Sequence, residues 1–167
     1  LCGQTTLGQL AGVMAAASAV VSNDSGAMHL AAAVGVPVVA IFGAYAGARS
    51  INEMAVRAWA ESDLTVVHLT GERDFATFRP RVERDGYVMI PSTDDFGELL
   101  RAADLAVSRA GGTVWELAAA GTPAILVPYP HATADHQTSN ARHFERGGGA
   151  IVVPDAEIDR VPALVDE

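Results

Sequence analysis

An α/β fold with a doubly wound, mainly parallel, Rossmann-like sheet and helices on both faces is predicted for this chain by three observations. Residues 17–40 can be laid without a gap on residues 103–126, at a constant offset of 86. Each copy reads as a short β-branched strand, a small-residue turn, an alanine-rich helix, a Gly-x-Pro break and a second apolar strand. Half of the 167 residues are hydrophobic, and the apolar runs are separated by Gly and Pro rather than joined. Finally, strand-like and helix-like segments alternate along the chain, the order that produces a parallel sheet covered on both faces.

Taken in order, Thr5-Thr6 caps a helix running to about residue 17, followed by a strand over 19–22, a helix over 27–34 and a buried strand over 36–42. Residues 43–48 form a glycine-bearing turn into a helix over 49–61. A strand over 64–70 leads to Gly71-Glu72-Arg73-Asp74, which starts another helix, and residues 87–90 are the next strand. Ser92-Thr93-Asp94-Asp95 has the composition of an N-cap for a helix over 96–103. The second repeat copy supplies strand, helix and strand to residue 127; Pro128-Tyr129-Pro130-His131 is a loop, 137–146 a helix and 150–153 a last strand. At this length the chain is one domain with room for a core that needs no staples.

Composition removes several function classes. A net charge of −9 leaves no basic stripe for nucleic acid, although backbone amides and a few arginines can still hold a diphosphate. The lone Cys2 offers neither a disulfide nor a cysteine metal cluster, so a cytosolic compartment is expected. His131 and His136 lie in a loop without a clustered carboxylate, and no metal is expected. Residues 1–48 carry one charged side chain, Asp24. Residues 25–48 are therefore long enough for a membrane span, but Gly35 and Pro37 break them as Gly121 and Pro123 break the second copy. No basic region or cleavage pattern marks a signal peptide. The chain begins at Leu1, as a fragment or processed product would.

In both copies the small-residue turn opens a helix. A helix start presents unpaired backbone N–H groups and a partial positive charge, which suits a phosphate. The repeat thus points to a nucleotide or sugar-phosphate site. Gly43 and Gly47 do not have the Gly-x-Gly-x-x-Gly spacing, so a dinucleotide-binding dehydrogenase is discounted.

Four stretches carry a resemblance: Gly47-Ala48-Arg49-Ser50-Ile51-Asn52-Glu53, His68-Leu69-Thr70-Gly71-Glu72-Arg73-Asp74, Ser108-Arg109-Ala110-Gly111 with Glu116-Leu117, and Pro128 through Asn140. From about Gly43 onward the chain resembles the C-terminal, donor-binding domain of MurG-type glycosyltransferases. These are two-domain GT-B enzymes that move N-acetylglucosamine from UDP-GlcNAc to lipid I at the inner face of the bacterial membrane. The resemblance implies a cytoplasmic protein, UDP or UDP-GlcNAc as ligand, and no metal or other cofactor.

It also implies site residues. Glu116 matches the glutamate that accepts bonds from both ribose hydroxyls, the alternative being an ordinary exposed helix glutamate. Gly111, Gly112 and Thr113 place N–H groups at the diphosphate, or else form a plain tight turn. Gln137 and Asn140 match the sugar-facing helix start, whereas Asp135 fits a structural N-cap better. Arg49, Arg73 and Arg109 are phosphate candidates, with solvated surface arginine as the usual outcome. Gly43 and Gly47 correspond to the glycine loop, which departs from the family pattern through Ala44 and the bulky Tyr45. Thr93 falls in the uracil-contacting segment, where Ser92-Thr93 replaces an aromatic-aliphatic pair.

Residues 1–43 resemble a different GT-B family. The stretch 21–32 looks like the nucleotide-binding segment of ADP-heptose:lipopolysaccharide heptosyltransferases, with Asp24, Ser25, Gly26 and His29 as a second candidate phosphate site. A chimera joined near residues 38–42 is the simplest origin, with natural duplication as the alternative. In the strand order that the MurG-type resemblance implies, both places beside the strand over 38–42 are taken, so the strand over 19–22 must move to a sheet edge, displace another strand or pair with another molecule. Residues 1–43 are therefore expected to favour a homodimer, by strand exchange or through an apolar patch of Leu7, Leu10, Val13 and Met14, with burial inside the same chain as the alternative. The chain has no counterpart of an acceptor half, so no turnover is expected from it alone. The rival reading is a structural scaffold without ligand.

Overall fold

The computed structural model describes residues 38–43 and 47–166. The helices and strand expected before residue 36, the second phosphate candidates Asp24, Ser25, Gly26 and His29, the self-association patch, and Ala44 and Tyr45 lie outside the described residues.

Six strands form one parallel sheet: β1 (Val38–Phe42), β2 (Thr65–Leu69), β3 (Tyr87–Ile90), β4 (Leu105–Ser108), β5 (Ala124–Leu126) and β6 (Ala150–Val152). Their order is β3-β2-β1-β4-β5-β6. The strand β1 is thus central, pairing through Val38 with Thr65 of β2 and through Val39 with Leu105 of β4. Both places beside β1 are occupied, as the resemblance implied. The order reverses between β1 and β4, and in open α/β sheets that reversal opens a crevice beyond the carboxyl ends of the strands.

The helices are α1 (Arg49–Trp59), α2 (Glu72–Phe78), α3 (Phe96–Ala102), α4 (Thr113–Ala120), α5 (His136–Arg146) and α6 (Val161–Val165). A short 3-10 segment, Asp155–Arg160, precedes α6. Alternation along each strand feeds two cores. Val39 and Ile41 of β1 and Val66 of β2 pack with Ile51 and Met54 of α1 and Phe78 of α2. On the other face Ala40, Phe42, Val67 and Leu69 pack with Leu99 and Leu100 of α3 and Val114 and Leu117 of α4. Burial on both faces is the reason β1 reads as an unbroken apolar run. The Gly-x-Pro break works as its chemistry dictates. Gly121 ends α4 at φ 76°, a conformation open to glycine, and Pro123 then starts the extended run into β5.

Boundaries move slightly: α1 stops at Trp59 rather than 61, and β2 and β6 are one residue shorter at their ends than the sequence suggested. The caps differ more. Asp95 occupies the N-cap of α3 and Asp135 that of α5, yet neither carboxylate caps its helix. Thr93 Oγ1 instead accepts from the Asp95 N–H at 3.1 Å. Asp135 sits at φ 52°, a left-handed geometry unlike the extended backbone of a side-chain-capping residue. The C-terminal 3-10 segment and α6 follow the last strand expected from the sequence.

Candidate functional site

The loops after β1, β2, β3, β4, β5 and β6 converge on the carboxyl edge of the sheet, and the predicted site residues distribute over them. Gly43 and Gly47 follow β1, Thr93 follows β3, Arg109 to Thr113 follow β4, and Gln137 and Asn140 lie on the first turns of α5.

The amino terminus of α4 faces open space. A Cβ added at Gly112 would meet nothing within 4 Å, and one at Gly111 would meet only Gln137 Nε2, at 3.8 Å. Gly112 is at φ −59°, so its value here is the missing side chain and not a left-handed turn. Glu116 is exposed on the first turn of the same helix, and among the described residues no ion pair engages it. Thr113 is buried behind this edge.

Gln137 and Asn140 anchor the site before they can serve a ligand. Gln137 Oε1 accepts from the Tyr129 N–H at 3.0 Å, and Asn140 Nδ2 donates to the Ala110 carbonyl at 3.2 Å. Each amide spends one end on a loop and keeps the other. For Gln137 the remaining end is the Nε2 beside Gly111.

Arg109, expected at a phosphate, is placed otherwise. It is buried, pairs with Asp155 Oδ1 at 2.6 Å and donates to the carbonyls of Val127 and Pro128 at 3.0 and 3.3 Å. Its other terminal nitrogen donates to the Gly47 carbonyl and to Ser50 Oγ, the latter at 2.7 Å. With both terminal nitrogens committed, the guanidinium ties together the loops after β1, β4, β5 and β6 instead of reaching outward. It also lies over the Tyr129 ring, 5.4 Å from its centroid. Tyr129 in turn explains Gly47. That residue has φ +84°, and a Cβ on it would stand 2.4 Å from the Tyr129 ring. The glycine is required by a protein ring.

Arg49 and Arg73 are exposed and converge on buried Asp74, at 3.5 and 3.1 Å. The Arg73 guanidinium hydrogen-bonded to it holds the Asp74 carboxyl below the usual carboxylate range, against the opposing effect of burial, with Arg49 and Asn52 adding to the depression.

Behind Gly43 lies a buried polar chain that sequence reasoning missed. Asn52 Nδ2 donates to the carbonyls of Gly43 and Thr70, each at 3.2 Å, and to Asp74 Oδ2 at 3.3 Å. Its Oδ1 is 2.8 Å from His68 Nε2, and His68 Nδ1 is 2.8 Å from the Tyr87 hydroxyl. Asn52 and His68 have no exposed surface. Burial lowers the His68 pKa to about 3 and raises that of Tyr87 above its ordinary value, so both are neutral. The tautomer follows: Oδ1 can only accept, so His68 Nε2–H donates to it and Nδ1 accepts from the Tyr87 O–H. A polar residue at an inward position of a strand buried on both faces was the available signal. Asn52 and His68 both stood in the stretches that carried the resemblance.

This six-stranded parallel sheet, with its crevice at the β1/β4 reversal, defines the Rossmann-like half of a GT-B glycosyltransferase. The chain belongs to the family of the glycosyltransferase family 28 C-terminal domain, whose model matches residues 38–167. The UDP-N-acetylglucosamine--N-acetylmuramyl-(pentapeptide) pyrophosphoryl-undecaprenol N-acetylglucosamine transferase of Synechococcus elongatus is 43% identical over 127 residues, covering 74% of this chain and 35% of that protein. The transferase of the same name from Trichormus variabilis is 44% identical over 137 residues, covering 78% of this chain and 37% of that protein. This chain therefore spans about a third of the length of these relatives. Among solved structures, Acinetobacter baumannii MurG superposes with a TM-score of 0.69 at 26% identity, over 78% of this chain and 43% of that one. The glycosyltransferase VinC, solved in complex with DTDP, superposes with a TM-score of 0.61 at 20% identity, over 78% of this chain and 33% of that one, which shows the shared fold. The heptosyltransferase likeness of residues 1–43 and the chimeric origin remain readings of the sequence.

Among the described residues no helix is long and apolar enough to cross a membrane.

Proposed function

We propose that this chain binds a uridine diphosphate sugar of the UDP-GlcNAc type, as the donor-binding half of a cytoplasmic GT-B glycosyltransferase, and that it does not transfer the sugar alone. The observation that carries this reading is the open amino terminus of α4, with side-chain-free Gly111 and Gly112 and exposed Glu116 on its first turn. In this reading the first N–H groups of α4 and the positive end of its dipole take the diphosphate, so no metal is needed to offset its charge. Glu116 accepts from the two ribose hydroxyls. Gln137 Nε2 and the free end of the Asn140 amide meet the sugar hydroxyls, while the backbone around Thr93 borders the base. Arg109 acts from beneath, fixing the loops that carry these groups.

Calorimetric titration of the purified chain with UDP and ADP tests the proposal. UDP is expected to bind more tightly than ADP, and Glu116→Ala to weaken UDP by about 1–3 kcal/mol with unchanged thermal stability. Equal UDP affinity in that variant would remove Glu116 from the site. No binding of either nucleotide by folded protein would leave the ligand-free scaffold.

A further inference from the structure

We infer that Tyr129 is a positioning residue that couples the two glycine-lined rims of the crevice: its ring seats Gly47 after β1, while its N–H fixes the Gln137 amide beside Gly111. The inference rests on the donor-site reading only for its consequence on nucleotide binding.

The contact at Gly47 has no slack. A Cβ on that residue would stand 2.4, 2.5 and 2.8 Å from three carbons along one edge of the Tyr129 ring, Cε2, Cδ2 and Cζ. Nothing as large as a methyl group fits between them. Backbone and ring therefore already lie in van der Waals contact, and neither moves toward the other without displacing it. The Gly47 carbonyl accepts from Arg109, whose guanidinium also lies over the Tyr129 ring, 5.4 Å from its centroid. The His131 ring meets Tyr129 edge-on, with centroids 5.5 Å apart and planes at 82°. The half-buried tyrosine is thus wedged among a glycine, a guanidinium and an imidazole.

The main chain of the same residue reaches the opposite rim. The Tyr129 N–H can only donate, so the end of Gln137 that meets it, at 3.0 Å, is Oε1. Nε2 is left toward α4, where it meets an added Cβ on Gly111 at 3.8 Å. This bond closes the loop from 129 to 137 on itself, and within it the Ala132 N–H donates to the Tyr129 carbonyl at 3.2 Å. A shift of Tyr129 therefore displaces the glycine loop through its ring and the Gln137 amide through its N–H. Contiguous contacts of this kind can carry coupling between sites. Linkage makes the coupling reciprocal: a ligand that settles Gly47 favours the Gln137 position, and a sugar held by Gln137 favours the Gly47 position. The diphosphate and the sugar of one donor are then bound cooperatively, not by two independent patches.

The test is a cycle of Gln137→Ala with Tyr129→Leu, which removes the ring, and Tyr129→Phe, which keeps it. The Gly47 α protons lie against the ring, so their NMR resonances should be displaced by its ring current in the unmodified chain and in Tyr129→Phe. Gln137→Ala frees the Tyr129 N–H and is expected to move those resonances, although it lies on another element. It should also weaken UDP, which lacks the transferred sugar, about three- to tenfold. In the Tyr129→Leu background the same substitution should leave UDP affinity as it was, and in Tyr129→Phe the weakening should return. Equal weakening of UDP with and without the ring would mean that Gln137 touches the nucleotide directly, and would overturn the inference. So would a UDP affinity or Gly47 resonances that Gln137→Ala leaves unmoved, and the resonances decide this even if Tyr129→Leu does not fold. If the unmodified, folded chain binds no UDP, the donor-site reading falls, while the Gly47 resonances in Gln137→Ala still decide the coupling. Should Tyr129→Leu lower the melting temperature while Gln137→Ala acts alike in every background, the ring only packs the loop and the inference fails.

Discussion

Arg109 and Asp155 pair at 2.6 Å, linking the loop after β4 to the turn after β6 beneath the crevice. The arginine is buried and the aspartate side chain is one-quarter exposed. Ser50 bridges them, donating to Asp155 Oδ1 at 2.9 Å while accepting from Arg109. Removing the carboxylate leaves a guanidinium without its counter-charge in a site water reaches poorly, which is costlier than losing an exposed pair. Asp155→Ala is expected to destabilise the domain by about 2–4 kcal/mol. Urea unfolding should show a lower midpoint at an unchanged slope. A loss under about 0.5 kcal/mol would place the pair with ordinary surface contacts.

Acid should loosen the domain through His68. Its folded pKa is lowered to about 3 from 6.5 by burial. Between these values the unfolded chain binds a proton that the native state refuses. Stability from this group is therefore present above about pH 6.5 and is lost as pH falls toward 3, at about 1.4 kcal/mol per pH unit. The depressed carboxyls of Glu53, Asp74 and Glu145 act in the same direction, but lower on the scale. A histidine-specific NMR titration separates the two effects. His68 should hold its neutral shifts at pH 5; a His68 midpoint near 6 would contradict its burial.

The fold was legible because its signals are local and repeated. Gly121 and Pro123 fix the end of α4 and the start of β5 by backbone chemistry alone, and the apolar runs of β1 and β2 report burial on both faces. The edge where Gly111, Gly112 and Glu116 gather was legible for the same reason, since a small-residue turn opening a helix is a local pattern. Arg109 was misread because its partners lie far along the chain: Gly47, Ser50, Val127 and Asp155 approach it only once four loops meet. Asn52, His68 and Tyr87 were missed likewise. Nothing in their spacing announces a hydrogen-bonded row crossing α1, β2 and β3.

Two glycines of the crevice should respond oppositely to a methyl group. At Gly47 the positive φ and the Tyr129 ring at 2.4 Å from an added Cβ make Gly47→Ala costly, by about 2–3 kcal/mol from backbone strain and displaced packing. Gly112 has helical angles and open space, so Gly112→Ala should leave stability unchanged or raise it by up to about 1 kcal/mol. Its effect should appear in UDP affinity, because the methyl fills the space a diphosphate would enter. Thermal melts and calorimetry on the same two variants separate a glycine kept for the fold from one kept for the ligand. Loss of melting temperature in Gly112→Ala would reverse the assignment.

The purified chain is expected to bind UDP-GlcNAc without transferring its sugar to a lipid I analogue. It spans 35% of the Synechococcus relative, and every group assigned above to the donor lies at the carboxyl edge of one sheet, on the starts of α4 and α5 or in the loop after β3. Holding a donor lowers the barrier only if an acceptor hydroxyl is held in line with it, and that alignment is worth up to about 7–11 kcal/mol. With the acceptor free in solution, transfer should fall by roughly five to eight orders of magnitude from that of a complete two-domain enzyme, below detection. Incubating the chain with radiolabelled UDP-GlcNAc and the analogue checks this; labelled product would mean that the crevice beside α4 orients both substrates. The loss should also be unequal: affinity for UDP survives, since the N–H groups of α4 and Glu116 belong to this chain, while turnover does not. A chain that bound neither donor nor UDP would instead point to the glycine loop, where Ala44 and Tyr45 depart from the family pattern, as the place where donor binding was lost.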